Sequence, residues 1–142
     1  MDGKTAGLAL DTIAARGAEF FEPRTGAVSV PIFQSATFRH PALGESTGFD
    51  YSRCTNPTRK ALEDSLALLE KGTYCLAFAT GMGAISALIK IFPVGSHLIV
   101  SEDLYGGTYR IFNGYYAQYG YVFSFVDTSE PKKIEAAWRP ET

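Results

Sequence analysis

The sequence predicts an α/β fold built on parallel strands, and three observations carry that expectation. Short apolar, β-prone runs at residues 73–79, 97–101 and 121–126 alternate with stretches of helical periodicity. A tight glycine turn, Thr80-Gly81-Met82-Gly83, joins the first run to the helix that follows it. The composition, 46% hydrophobic and 20% charged over 142 residues, is that of a globular chain and excludes a disordered one.

Each element follows from local chemistry. Residues 10–21 have helical spacing. Residues 22–51 contain Pro23, Gly26, Pro31, Pro41, Gly44 and Gly48, which break any helix or long strand. An arm that long inside a compact domain is unusual, so it is expected to wrap over something, such as a partner subunit. Asn56 suits the cap of a helix whose first residue is Pro57, where the missing N–H costs nothing, and Gly72 suits the exit. Leu62, Leu66 and Leu69 share one face of it.

The strand at 73–79 leads into a helix over 82–92 that is expected to bury Ile85, Leu88, Ile89 and Phe92 before Pro93-Val94-Gly95 ends it. After the strand at 97–101 comes a helix over 108–119, with Tyr109, Phe112 and Tyr116 repeating at helical spacing as core. The strand at 121–126 precedes a final helix, capped by Thr128 or Ser129, that reaches Trp138. Residues 139–142 stand where the alternation calls for another strand, so the chain is expected to be the opening of a larger domain. The expected division is an extended arm over 1–55 and an incomplete α/β domain over 56–142.

Charge and cysteine usage narrow the function. Thirteen Lys and Arg against fifteen Asp and Glu give a formal charge of −2, no field for nucleic acid or an anionic membrane, so any anion must be held locally. Cys54 and Cys75 stand in no metal-ligand spacing, and His40 and His97 are scattered, so no metal site is expected and the setting reads as reduced and cytoplasmic. The uncharged stretch at 73–89 is split by Gly81 and Gly83 and does not read as a membrane span, and the N-terminus lacks the pattern of a targeting segment.

Three places could carry chemistry. In the Gly81 turn, backbone N–H groups of Gly81 and Met82 at a helix N-terminus form a seat for phosphate. The residues alone leave two other readings open: a sharp βα connection that binds nothing, and a partial dinucleotide fingerprint, with Gly81-x-Gly83-x-x-Ser86 followed by Glu102 after the next strand. Tyr51-Ser52-Arg53 combines a hydroxyl with a fork of donors suited to a second anion clamp, or to a surface ion pair. Arg59 stands in the first turn of a helix, unfavourably for the dipole, and Glu63 at i+4 is its expected partner. Tyr105, beside Gly106 and Gly107 at the strand end where α/β sheets take ligands, is placed to lay its ring on something flat. His40, His97 and the lysines read as structural or surface residues.

Four ordered blocks then resemble a known family. Gln34-Ser35-Ala36-Thr37-Phe38, Tyr51-Ser52-Arg53-x-x-Asn56-Pro57-Thr58, Thr80-Gly81-Met82-Gly83-Ala84-Ile85 and Asp103-Leu104-Tyr105-Gly106-Gly107-Thr108-Tyr109 occur in the order and at the spacing of the Cys/Met-metabolism group of pyridoxal-phosphate enzymes. That group includes cystathionine γ-synthase, cystathionine β- and γ-lyases, O-acetylhomoserine sulfhydrylase and methionine γ-lyase. The resemblance runs from about residue 12 to 142 and covers only the first third of a family member.

What the resemblance implies is specific. The fold would be the type I, aspartate-aminotransferase-like one, in a homotetramer, a dimer of dimers. The cofactor would be pyridoxal 5'-phosphate, the substrate a small sulfur amino acid or its acyl-homoserine precursor. Gly81 and Met82 match the backbone donors to the cofactor phosphate, Tyr51 and Arg53 the pair that reaches that phosphate from the neighbouring subunit, and Tyr105 the aromatic that stacks on the pyridine ring. Tyr51 and Tyr105 are then the candidate proton-handling groups. The residues around 38–48 and 107–110 look most like the cystathionine γ-synthase and β-lyase branch, and Gly107 stands where methionine γ-lyases have Cys. The family's cofactor-bearing lysine, in a Ser-x-Thr-Lys motif, and the aspartate facing the pyridine nitrogen have no counterpart among these residues. This polypeptide alone is therefore expected to be inactive, as the N-terminal part of an active parent.

Overall fold

The computed structural model describes residues 8–17 and 22–142. They fall into two compact units, Met1–Ala77 and Phe78–Thr142.

The first unit is built around a helical pair and the arm. Helix α1, Leu10–Arg16, buries Ile13 against helix α2, Pro57–Leu69, which in turn buries Ala61 and Ala67. The small alanines, rather than the leucine face, make the close approach: Leu62 and Leu66 are exposed. The remainder of the helix expected over 10–21, residues 18–21, lies outside the described residues. Asn56 caps α2 as its sequence indicates, its side chain accepting from the Thr58 amide at 2.9 Å, with Pro57 at the first position. The exit differs from expectation. Lys71 takes the left-handed conformation (φ 56°), not Gly72, while the Gly72 amide reaches back to the Ala67 carbonyl at 2.8 Å.

The arm folds back on itself. Thr37 and Tyr51 form an antiparallel bridge, flanked by Phe38 N–H to Asp50 O (3.0 Å) and Ser52 N–H to Ala36 O (2.8 Å). Thr58 then ties the arm to α2: its hydroxyl donates to the Pro31 carbonyl at 3.0 Å and accepts the Phe33 amide at 2.8 Å. Residues 73–79, expected as a strand, make no ladder among the described residues. β-propensity alone does not create a strand, which exists only when a neighbouring edge supplies its hydrogen-bond partners.

The second unit is a parallel β–α–β core. Strand β1, His97–Ser101, pairs with β2, Val122–Val126, in register from His97↔Val122 to Ser101↔Val126. Helix α3, Gly81–Ile89, and helix α4, Gly106–Gly114, pack beside it; a 3-10 turn, Tyr116–Tyr119, and helix α5, Pro131–Ala137, complete the unit. The core is Ile89, Phe112 and Tyr116, with Ile85, Leu98, Phe123 and Phe125 against it. Phe112 stacks on Phe123 at 4.6 Å between centroids, and the Tyr116 hydroxyl donates to the Ser86 carbonyl at 3.0 Å.

Several expectations change here. Leu88 and Tyr109 are exposed rather than core because the packed stripe of each helix is narrower than its apolar pattern, and Phe92 is exposed because the helix expected over 82–92 ends at Ile89, before reaching it. The helix expected over 108–119 breaks at Tyr115 into the 3-10 turn, which closes on Gly120 in the left-handed conformation. Neither Thr128 nor Ser129 caps α5. Ser129 instead donates its amide and hydroxyl to Asp127, so the turn closes one step before the helix and Glu130 becomes the cap position without a side-chain bond. His97, read from sequence as a structural residue, is buried with both ring nitrogens engaged, by Thr142 Oγ1 at 2.7 Å and Ser124 Oγ at 2.9 Å.

Candidate functional site

In the second unit, the turn before α3 is built to present amides. Thr80 caps the helix, its hydroxyl accepting the Gly83 amide at 3.0 Å and its carbonyl the Ala84 amide at 3.1 Å. The Gly81 and Met82 amides, at the first two helical positions, are left without an acceptor inside the helix. A Cβ built on Gly81 would meet nothing within 4 Å, so the turn is open on the side of that residue. No acidic residue occupies the first turn, so no carboxylate competes for them.

Tyr105 is brought to the same place. Its ring crosses Gly107, where an added Cβ would press into ring atoms and come within 3.3 Å of Met82 Sδ. The Thr108 hydroxyl lies 3.7 Å from the same sulfur. Gly107 therefore permits the close approach of the Tyr105 ring and the α3 N-terminus. At 73% exposure the ring keeps a free face for a planar ligand.

The first unit carries Tyr51 and Arg53, described by themselves. The Arg53 guanidinium lies over the Tyr51 ring at 4.9 Å, and among the described residues it has neither a hydrogen-bond nor an ion-pair partner. All five of its N–H donors remain available to an anion. The alternative of a surface ion pair is thus not what the geometry shows. His40, by contrast, pairs with Asp50 at 3.0 Å, and Arg59 with Glu63 at 3.4 Å as the i+4 spacing predicts.

Magnitudes indicate what such an arrangement binds. A helix N-terminus contributes about 0.3–1 kcal/mol to an anion, too little to retain a phosphate alone. Charge-assisted bonds are roughly twice as strong as neutral ones. The described residues offer two such features, each in its own unit: the paired amides at the start of α3 and the free Arg53 guanidinium. The sequence points to these residues but not to Thr80, whose side chain caps α3, and it shows Asn56 as a cap without its bonds to Phe33 and Ser52 in the arm.

The family model described as Cys/Met metabolism PLP-dependent enzyme matches residues 11–142. The chain belongs to that family. Among curated relatives of this PLP-dependent family, it is 48% identical over 118 residues to a cystathionine gamma-synthase/O-acetylhomoserine (thiol)-lyase of Bacillus subtilis, covering 83% of this chain and 32% of the relative. It is 39% identical over 133 residues to a cystathionine beta-lyase of Lactococcus lactis subsp. cremoris, covering 94% and 35%. The crystal structure of cystathionine gamma-lyase from Lactobacillus plantarum complexed with L-serine superimposes with a TM-score of 0.87 at 39% identity, over 95% of this chain and 35% of that one.

The chain thus spans about one third of the length of these relatives, and over that stretch it has their type I PLP fold. The family's cofactor is pyridoxal 5'-phosphate. The residues present fit it: paired helix-terminal amides in an open turn, an exposed aromatic ring packed across Gly107 near Met82, and an arginine with no hydrogen-bond or ion-pair partner among the described residues. The dinucleotide reading of the Gly81 turn gives way to this membership.

Proposed function

We propose that this chain supplies the phosphate-binding and ring-stacking part of a PLP-dependent transsulfuration enzyme. The reaction class is β- or γ-elimination or γ-replacement on cystathionine or O-acylhomoserine-type amino acids. The observation that carries the reading is the juxtaposition at Gly107, which lies against both the exposed Tyr105 ring and the side-chain sulfur of Met82, the second residue of the helix whose first amides have no acceptor within it. When bound, the cofactor supplies the electron sink that lets an amino acid lose its α-proton. Gly81 and Met82 hold the phosphate through their amides, Tyr105 orients the ring by stacking, and Arg53 with Tyr51 clamps the phosphate from a neighbouring subunit. The phenolic oxygens of Tyr105 and Tyr51 are the proton-handling groups.

The assembly is a homo-oligomer, a dimer of dimers with shared sites. Exposed apolar side chains such as Leu62, Tyr74, Leu76, Phe78 and Ile91 are of the kind that are normally covered in an assembled protein. No helix among the described residues is long and apolar enough to cross a membrane, no group of His, Cys, Asp and Glu there could hold a metal ion, and both cysteines are free thiols. We place the enzyme in the cytoplasm, acting on small amino acids without nucleic-acid or membrane partners. Sulfhydrylase activity within the family is the second reading, favoured by the dual name of the Bacillus relative.

The test uses protein expressed from its complete reading frame. Arg53→Ala should weaken pyridoxal 5'-phosphate binding about tenfold or more, with affinity for pyridoxal, which lacks the phosphate, nearly unchanged. Equal affinity of wild type and variant for the phosphorylated cofactor would sink the clamp. Assays on cystathionine and on O-acetylhomoserine with sulfide then separate the two readings.

A further inference from the structure

The turn that carries Arg53 is held by a second arginine. Arg59 Nη1 donates to the Ser52 carbonyl at 3.2 Å and Nη2 to the Cys54 carbonyl at 2.5 Å, the two carbonyls on either side of Arg53. Its Nε faces Glu63 Oε1 at 3.4 Å, and Glu63 in turn accepts the Ala77 amide at 2.9 Å. Every edge of the Arg59 guanidinium is thus engaged within the protein. Among the described residues, Arg53 has none of these contacts and only the Tyr51 ring beneath it.

The placement has a cost that the contacts explain. Arg59 sits at the third position of α2, where a cation opposes the macrodipole. Both it and Glu63 are largely shielded, at 32% and 18% side-chain exposure, so the pair is more than a solvated surface bridge. A planar fork reaches two carbonyls and a carboxylate along separate fixed directions, whereas an ammonium presents its three donors from a single point. We infer that Arg59, oriented by Glu63, is a positioning residue that presets the Tyr51-Ser52-Arg53 turn, so that the Arg53 fork is held ready for a phosphate. It acts through Arg53 and does not itself touch the anion. Preorganisation of this kind raises affinity by removing the ordering cost of the loop. The inference rests on the proposed phosphate clamp.

The experiment compares Arg59→Lys, Arg59→Ala, Glu63→Gln and Arg53→Ala in protein from the complete reading frame. Fluorescence titration reads affinity for pyridoxal 5'-phosphate and for pyridoxal, and hydrogen exchange reads the amides of Ser52, Cys54 and Thr55. Arg59→Lys and Arg59→Ala should each lose about tenfold in affinity for the phosphorylated form, keep their affinity for pyridoxal, and exchange those amides faster. Glu63→Gln, which preserves the shape of the side chain and its acceptor oxygen for the Ala77 amide, should show a smaller loss in the same direction. Wild-type affinity in Arg59→Lys, or equal losses for pyridoxal and its phosphate, overturns the positioning role. If Arg53→Ala loses affinity while the Arg59 and Glu63 variants keep theirs, the clamp stands and the positioning role fails. Unchanged affinity in Arg53→Ala overturns both.

Discussion

Gly107 shows how one absent atom shapes a site. The Tyr105 ring occupies the space a β-carbon would take, and the ring is exposed, so a substitution there pushes the tyrosine aside rather than disrupting packed structure. Gly107→Ala should therefore leave the melting temperature nearly unchanged. It should weaken pyridoxal 5'-phosphate binding about two- to tenfold, the worth of one aromatic stack. A fall in melting temperature with intact affinity would contradict this account. At this scale the sequence was informative where chemistry is local: Gly81, Met82 and Tyr105 stand beside the glycines that present them. It was silent where a side chain works through distant partners. Arg59 reads in sequence as an i+4 pair with Glu63, and its grip on two carbonyls appears only once the arm has folded back.

Among the elements, α2 and its cap do the most to organise the first unit. Asn56 accepts from Thr58 and donates to the Phe33 carbonyl at 3.0 Å and to Ser52 Oγ at 2.9 Å, joining helix start, arm and clamp turn. Asn56→Ala removes a cap of about 1 kcal/mol and two further bonds of about 0.5–1.5 kcal/mol each. Denaturant unfolding should show a loss of about 2–3 kcal/mol, with Asn56→Asp intermediate because it keeps only the cap. In the second unit, His97 joins β1 and β2 to residues 139–142, its amide also donating to the Glu141 carbonyl at 3.0 Å. Burial, then the nearby Arg139, lowers its pKa below the ordinary 6.5, against the opposing pull of Glu141. Between that lowered value and 6.5 the unfolded chain binds more protons, so the His97 contribution is fully present above 6.5 and is lost as pH falls through this window. Unfolding followed from about pH 7.5 to about pH 5.5 should show that decline, and His97→Asn should flatten it. An unaltered slope in the variant would assign the decline to other groups. The helices and the pair β1–β2 were legible because their periods and caps are local, whereas residues 73–79 carry the same β-prone signal and form no ladder.

For the whole molecule, membership in the PLP-dependent family and the absence of any lysine in a Ser-x-Thr-Lys setting make one strong prediction. The 142-residue polypeptide, supplied with pyridoxal 5'-phosphate, should turn over neither cystathionine nor O-acetylhomoserine above the rate of the free cofactor. Product formation dependent on the polypeptide would refute this. By itself the sequence determined the family, the α/β alternation and the cap at Asn56, because each is written in contiguous residues or short spacings. The tertiary structure alone decided which apolar side chains become core, that His97 is bonded through both nitrogens, and that Arg59 brackets the turn bearing Arg53. Those outcomes depend on which surfaces meet, and burial and hydrogen-bond partnership are properties of pairs distant in the chain, which no local pattern records.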